Sequence, residues 1–150
     1  MAKVFWSPGV LAHIESPERV VSQKRMRWGL EVIQKGATKN RIHIGIPCES
    51  RTHYTGGTPV SKFMFRFRLN KNVVVTKLHL GDGAAMIVQK QVNYTDAEIF
   101  DRFIPKNKYD WMAFTTAASG IILTIYAEFL AGDPPGKIIV YGAGIELDPS

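Results

Sequence analysis

Side chains able to do nucleophilic, acid–base or metal chemistry are few in this chain, and they are poorly grouped. The one cysteine, Cys48, lies near Glu49 and His53, but no second cysteine or histidine follows at the spacing of a zinc finger. Cys48 with His53 or His43 has the residue types of a nucleophile and its base, without an elbow motif or an orienting group to activate them. A polar surface loop is the simpler account. Glu31, Glu128 and Glu146 fall on polar positions of alternating segments. Two of them could serve glycoside hydrolysis only if they met across a sheet. Gly81-Asp82-Gly83 and Gly142-Ala143-Gly144 carry neither a phosphate-loop nor a dinucleotide pattern, and read as a turn and a bulge. The expectation is no catalytic residue, no cofactor and no metal site.

The basic residues carry more information. Residues 1–75 hold 13 Lys and Arg against 4 Asp and Glu, whereas residues 76–150 hold 6 against 9. The cations are not gathered in a tail. Arg25, Arg27, Arg41, His43, Lys62, Arg66, Arg68, Lys77 and His79 occupy the polar positions of apolar-alternating segments. If those segments are neighbours in one sheet, their charges merge into a positive face that an anionic partner or salt must relieve. If they divide between two sheets, the charge is split over opposite surfaces.

The elements that must hold these side chains read as strands, because apolar residues recur with period two. Phe63, Phe65, Phe67 and Leu69 share one face while Lys62, Met64, Arg66 and Arg68 share the other. Ile42, Ile44 and Ile46 alternate with Arg41 and His43, and Val74, Thr76, Leu78 and Leu80 alternate with Val73, Val75, Lys77 and His79. Met26, Trp28, Leu30 and Val32 alternate with Arg25, Arg27, Gly29 and Glu31, as in one continuous strand. Met86–Val92, Ile121–Leu130 and Lys137–Leu147 add further strands, and Trp111–Thr116 another. Thr95-Asp96-Ala97-Glu98 has the spacing of a capping box, so the segment 96–104 reads equally as one short helix ended by Pro105 or as a strand. Eight or so short strands with Gly/Pro turns predict an all-β, antiparallel β-sandwich, most simply an eight-stranded jelly roll.

The length of 150 residues suits one domain, and a hydrophobic content of 45% excludes a disordered chain. Residues 1–21 read as an N-terminal arm and 22–150 as a single sandwich domain. Phe5 and Trp6 give that arm large apolar side chains to bury on its own domain or on a neighbour. No apolar run reaches the ~18 residues of a spanning helix, and Met1–Pro8 lacks the apolar core of a secretory signal.

An irregular arm at 1–21, short strands such as Phe63–Leu69 and Ile121–Leu130, and no catalytic signature together resemble jelly-roll virion structural proteins, the minor capsid or decoration proteins of viruses and bacteriophages. The resemblance implies a non-enzymatic, self-associating homo-oligomer that binds other shell proteins, located in the virion; without it the expected location is cytoplasmic. On this view the rigid cationic row Lys62, Arg66 and Arg68 meets acidic groups of a neighbouring subunit, with Asp96, Glu98, Asp101 and Asp110 as the candidates and Phe5 and Trp6 as further interface residues. One alternative is a carbohydrate-binding module with exposed aromatics such as Tyr54, Tyr109 or Trp111. The other is a nucleic-acid-binding β protein using the basic first half. The outward arginines argue against a stacking platform, since Phe63, Phe65 and Phe67 point away from them.

Overall fold

A computed structural model describes residues 3–46, 60–82, 85–103 and 121–147. These residues form the strands β1 (Lys3–Pro8), β2 (His13–Ile14), β3 (Val20–Met26), β4 (Gly29–Gln34), β5 (Thr38–Ile46) and β6 (Val60–Leu69). The chain continues through β7 (Val73–Asp82), β8 (Ala85–Thr95), β9 (Glu98–Phe103), β10 (Ile121–Phe129) and β11 (Gly136–Leu147). Two antiparallel sheets face each other. One has the order β3-β4-β11-β6-β9, with β1 also paired to β11; the other has the order β2-β5-β10-β7-β8. This is an antiparallel jelly-roll sandwich, as the period-two pattern predicts. None of its helices is long and apolar enough to cross a membrane, among the described residues.

The core lies between the sheets and comes from the apolar positions of the alternation. Phe63, Phe65 and Phe67 of β6 are fully buried against Ile42, Ile44, Leu78, Leu80, Leu123 and Ile125 of the opposite sheet. Each such side chain contributes roughly 1.5–3 kcal/mol of burial. A one-residue slip of β6 would carry Arg66 and Arg68 into the core unpaired, so its register is strongly held.

The structure changes one strand assignment and decides three points that the sequence left open. First, residues 25–32 are a hairpin, not one strand: Arg27 and Trp28 form the turn and Met26 pairs with Gly29. A two-residue turn reverses the parity of the alternation, so Arg25 lies opposite Leu30 on an edge strand, where it remains exposed. Its guanidinium donates to the Val10 and Ala12 carbonyls at 2.6 and 2.9 Å. Second, of the segment 96–104 the described residues, 96–103, are not helical. Asp96 and Ala97 make a turn, with Asp96 at φ 49°, and β9 follows as a strand with Ile99 facing in and Phe100 facing out. Asn and Asp tolerate that left-handed backbone better than most residues.

Third, the arm is part of the sandwich. β1 pairs with the C-terminal half of β11 and β2 pairs with β5. Phe5 packs against the core, and Trp6 lies over Gly142 and Gly144, where a Cβ on Gly142 would sit 2.5 Å from the indole. Fourth, the cations are divided. Lys62, Arg66 and Arg68 belong to the six-stranded sheet, whereas Arg41, His43, Lys77 and His79 belong to the five-stranded one.

Candidate functional site

The outward face of the five-stranded sheet collects polar side chains in two register rows. His13, His43, Thr124, His79 and Gln89 occupy one row, on successive strands β2, β5, β10, β7 and β8. Arg41, Tyr126, Lys77 and Gln91 occupy the next. They come together because β10 alternates strictly, with Leu123, Ile125 and Ala127 facing the core and Thr124, Tyr126 and Glu128 facing out. Between Tyr126 and Ala127 the pairing of β10 with β7 shifts by one residue, leaving Thr76 as a bulge. A bulge sharpens the local twist and re-aims side chains. A groove of about 400 Å³ opens at this point, lined by Glu15, Arg19, Lys39, Arg41, Lys77, Tyr126 and Glu128.

Tyr126 stands in the groove between two cations. The Arg41 guanidinium is 4.9 Å and the Lys77 ammonium 5.7 Å from the ring centroid, both within cation–π range. Glu15 reaches the same face from the loop after β2. Its carboxylate is 3.6 Å from Arg41 and 3.1 Å from His43 Nε2. The other ring nitrogen of His43, Nδ1, is 2.8 Å from Thr124 Oγ1. A carboxylate only accepts, so the His43 Nε2–H donates to Glu15 and, in the neutral ring, Nδ1 accepts the Thr124 hydroxyl. Thr124 is only 5% exposed, so its hydroxyl orients His43 rather than meeting a ligand.

The loop carrying Glu15 is pinned from below. Asn40 donates to the Ser16 carbonyl and to Gln34 Oε1 at 2.9 and 2.8 Å, and its Oδ1 accepts the Ser16 amide at 3.0 Å. His79 stands edge-on to Tyr126 with ring centroids 5.4 Å apart. Burial above all, followed by the positive charges of Arg41, Lys77 and His43, lowers the pKa of His79 below the ordinary imidazole value. Its Nε2 is buried and has no hydrogen-bond partner among the described residues.

The outward face of the six-stranded sheet has a different character. Trp28 is 55% exposed and lies 6.2 Å from Tyr141, the residue at the β11 bulge. The Arg66 guanidinium sits 5.3 Å from the Tyr141 ring, Phe100 is its register partner on β9, and Arg102 lies over Phe100 at 4.6 Å. Aromatic rings and guanidinium groups therefore alternate across this sheet. Phe63, Phe65 and Phe67 do point away from Arg66 and Arg68, as expected, and the aromatic partners of this face come instead from the β3–β4 turn, β11 and β9.

The sequence-predicted interface residues are dispersed. Lys62 pairs with Glu146 at 3.6 Å and Arg66 with Glu98 at 3.2 Å, both within the chain. Arg68 is exposed and faces Glu98 across β9, and Asp96 is exposed in its turn. Asp101 is not at a surface. It is 7% exposed, on the core side of β9, where its carboxylate accepts Lys90 Nζ at 2.9 Å and the Tyr94 hydroxyl at 2.6 Å. This network ties the edge strands β8 and β9 of the two sheets. Burial, then the hydrogen bond and charge of Asp101, push the Tyr94 hydroxyl up to about 12. Asp110, Cys48, Glu49, His53, Tyr54, Tyr109 and Trp111, and the strand expected at Trp111–Thr116, lie outside the described residues.

Glu31 pairs with Lys137 at 3.8 Å and Glu128 with Lys39 at 3.4 Å. Glu128 lies on the sheet opposite Glu31 and Glu146, so it forms no carboxylate pair with either across a sheet. Among the described residues no three His, Cys, Asp or Glu side chains converge as metal ligands. Sequence reasoning placed His43 and His79 outward but missed Glu15, Thr124 and Tyr126. The polar parity of Thr124, Tyr126 and Glu128 within Ile121–Leu130 was the available signal.

No protein-family model and no curated protein matches this sequence. Solved structures do share the fold. A family 29 carbohydrate-binding module is 6% identical over 97% of this chain and 86% of its own, with a TM-score of 0.51. BiXyn10A CBM1 is 13% identical over 96% of both chains, with a TM-score of 0.52. A cyclase from Fischerella sp. TAU is 11% identical over 97% of this chain and 90% of its own, with a TM-score of 0.50. The expectation of a virion structural protein is thereby corrected: the folds that superpose are those of carbohydrate-binding modules and a cyclase, not of capsid or decoration proteins, and a jelly roll is common ground for all of them.

Proposed function

We propose that this chain is a carbohydrate-binding β-sandwich module that holds a saccharide in the groove around Tyr126 without transforming it. The groove itself carries the proposal. It is concave, it lies on an open sheet face, and it presents guanidinium, ammonium, carboxylate and hydroxyl groups within one ligand's reach. A polyhydroxylated ring needs such alternating donors and acceptors, since every hydroxyl left unpaired on desolvation costs about 1–3 kcal/mol. The fold shared with carbohydrate-binding modules supports the reading as analogy only. Calorimetric titration of the protein with a panel of soluble oligosaccharides tests it. Binding is expected for at least one of them and is lost in Tyr126→Ala. Silence across the panel, or binding that survives Tyr126→Ala, refutes it.

A second reading, single-stranded nucleic-acid binding, is favoured by the row Trp28, Tyr141, Arg66, Phe100 and Arg102, because bases stack on aromatic faces that cations flank. Fluorescence anisotropy with a labelled oligonucleotide distinguishes the two faces. Affinity that falls in Trp28→Ala and is untouched in Tyr126→Ala supports this second reading.

A further inference from the structure

We infer that the groove selects an anionic saccharide, one carrying a carboxylate or a sulfate ester, and that this anion is seated between Lys77 and Arg41 beside Tyr126; the inference rests on the saccharide reading above. Three observations point there. The first is geometry. Arg41 and Lys77 are register partners of Tyr126 on its two neighbouring strands, so the three form one row across the groove. Two strand spacings separate the cations' backbones, roughly 10 Å, and long side chains close that gap. Both cations lie over the ring, so Tyr126 is a post that holds them rather than a bare platform for a neutral sugar.

The second observation is charge. Arg19, Lys39, Arg41 and Lys77 line the groove against only Glu15 and Glu128. Glu128 is taken up by Lys39, and Glu15 is shared between Arg41 and His43. Lys77 and Arg19 make no ion pair among the described residues. Like charges gathered at one groove repel each other, and an anion bound among them removes that cost. The third observation is His79. It is packed edge-on to Tyr126, its Nε2 is buried with no hydrogen-bond partner among the described residues, and burial first, then the charges of Arg41, Lys77 and His43, hold it toward the neutral form.

The test is titration of the intact protein with oligogalacturonate, sulfated dextran, and the neutral glycans galactan, xylan and mannan. Lys77→Gln and Lys77→Arg are measured beside the parent, each checked for unchanged thermal unfolding. One charge-assisted contact is worth about 1.5–3 kcal/mol, so Lys77→Gln weakens the anionic ligand about tenfold or more while Lys77→Arg retains most of the affinity. Binding of the uronate alone identifies a carboxylate, and binding of the sulfated polymer alone a sulfate; either one, if sensitive to Lys77→Gln, supports the inference. Equal affinity for both polyanions with no effect of Lys77→Gln marks a diffuse charge effect and overturns it. A neutral glycan bound as tightly as the uronate also overturns it, while leaving the saccharide reading standing. No binding of any glycan overturns both.

Discussion

Replacing Asp101 by Asn probes the seam where the two sheets meet at their open edge. The carboxylate is 5% exposed and accepts Lys90 Nζ at 2.9 and 3.1 Å on its two oxygens, and the Tyr94 hydroxyl at 2.6 Å. The amide keeps the shape and one acceptor oxygen but loses the charge. Hydrogen bonds to charged groups contribute about 1.5–3 kcal/mol, roughly twice their neutral equivalents, so neutralising this acceptor costs about half of two such bonds or more. The Lys90 side chain is 35% exposed and recovers part of its hydration, which limits the loss relative to a fully buried pair. The expected destabilisation is about 1.5–3 kcal/mol.

Glu98→Gln is the internal control. The Arg66–Glu98 pair is similar in distance, at 3.2 Å, but its side chains are 52% and 47% exposed, so its loss costs under about 1 kcal/mol. Urea denaturation at constant m-value measures both. A double-mutant cycle with Tyr94→Phe should give a coupling of about 0.5 kcal/mol or more, since the two groups share a hydrogen bond. If Asp101→Asn and Glu98→Gln shift the midpoint equally, the polar seam contributes no more than a surface pair and the reasoning fails.

Tyr94 links the same seam to alkaline pH: because its folded value is raised to about 12, its stabilising contribution is intact below the unfolded value near 10 and is lost as pH rises through about 12. Tyr94→Phe should flatten the stability profile in that window, and an unchanged slope would contradict the assignment. His79 works in the opposite direction, since a lowered folded value favours the neutral ring: stability is present above the unfolded value near 6.5 and falls as pH drops below it. His79→Gln, followed by chemical denaturation between pH 7 and 5, should remove that part of the acid sensitivity. Phe65→Ala opens a cavity between the sheets and should cost about 3–5 kcal/mol by urea denaturation; a loss under about 1 kcal/mol would mean the core collapses to fill it. A methyl group on Gly9 would overlap the Val140 carbonyl oxygen, so Gly9→Ala should lower the melting temperature by the equivalent of about 1–3 kcal/mol, and an unchanged melting curve would refute the close approach.

The amino-acid sequence by itself determined which residues face inward along most strands. Phe63, Phe65, Phe67, Ile42, Ile44, Leu78 and Leu80 are all core residues, and His43 and His79 all lie outside it, because period-two alternation is a local property of an extended chain. It also determined that a sandwich results, since strands with one apolar face can bury it only against another sheet. Parity stops being legible where the chain turns back on itself or bulges: at Thr76 the faces of β7 exchange, so Val73 and Val75 are the core residues where unbroken alternation puts Val74 and Thr76. The Arg27-Trp28 turn reversed it and set Arg25, still exposed, in register with Leu30 and against the Val10 and Ala12 carbonyls. At 95–98, capping chemistry and strand alternation competed, and pairing of β9 with β6 decided for the strand. The candidate site was decided by the tertiary structure alone. Glu15, Arg41, Lys77 and Tyr126 are remote in sequence, and no local pattern states which strands are neighbours. Only strand order and register set Arg41 and Lys77 on either side of Tyr126, and the bulged Thr76 lines the same groove.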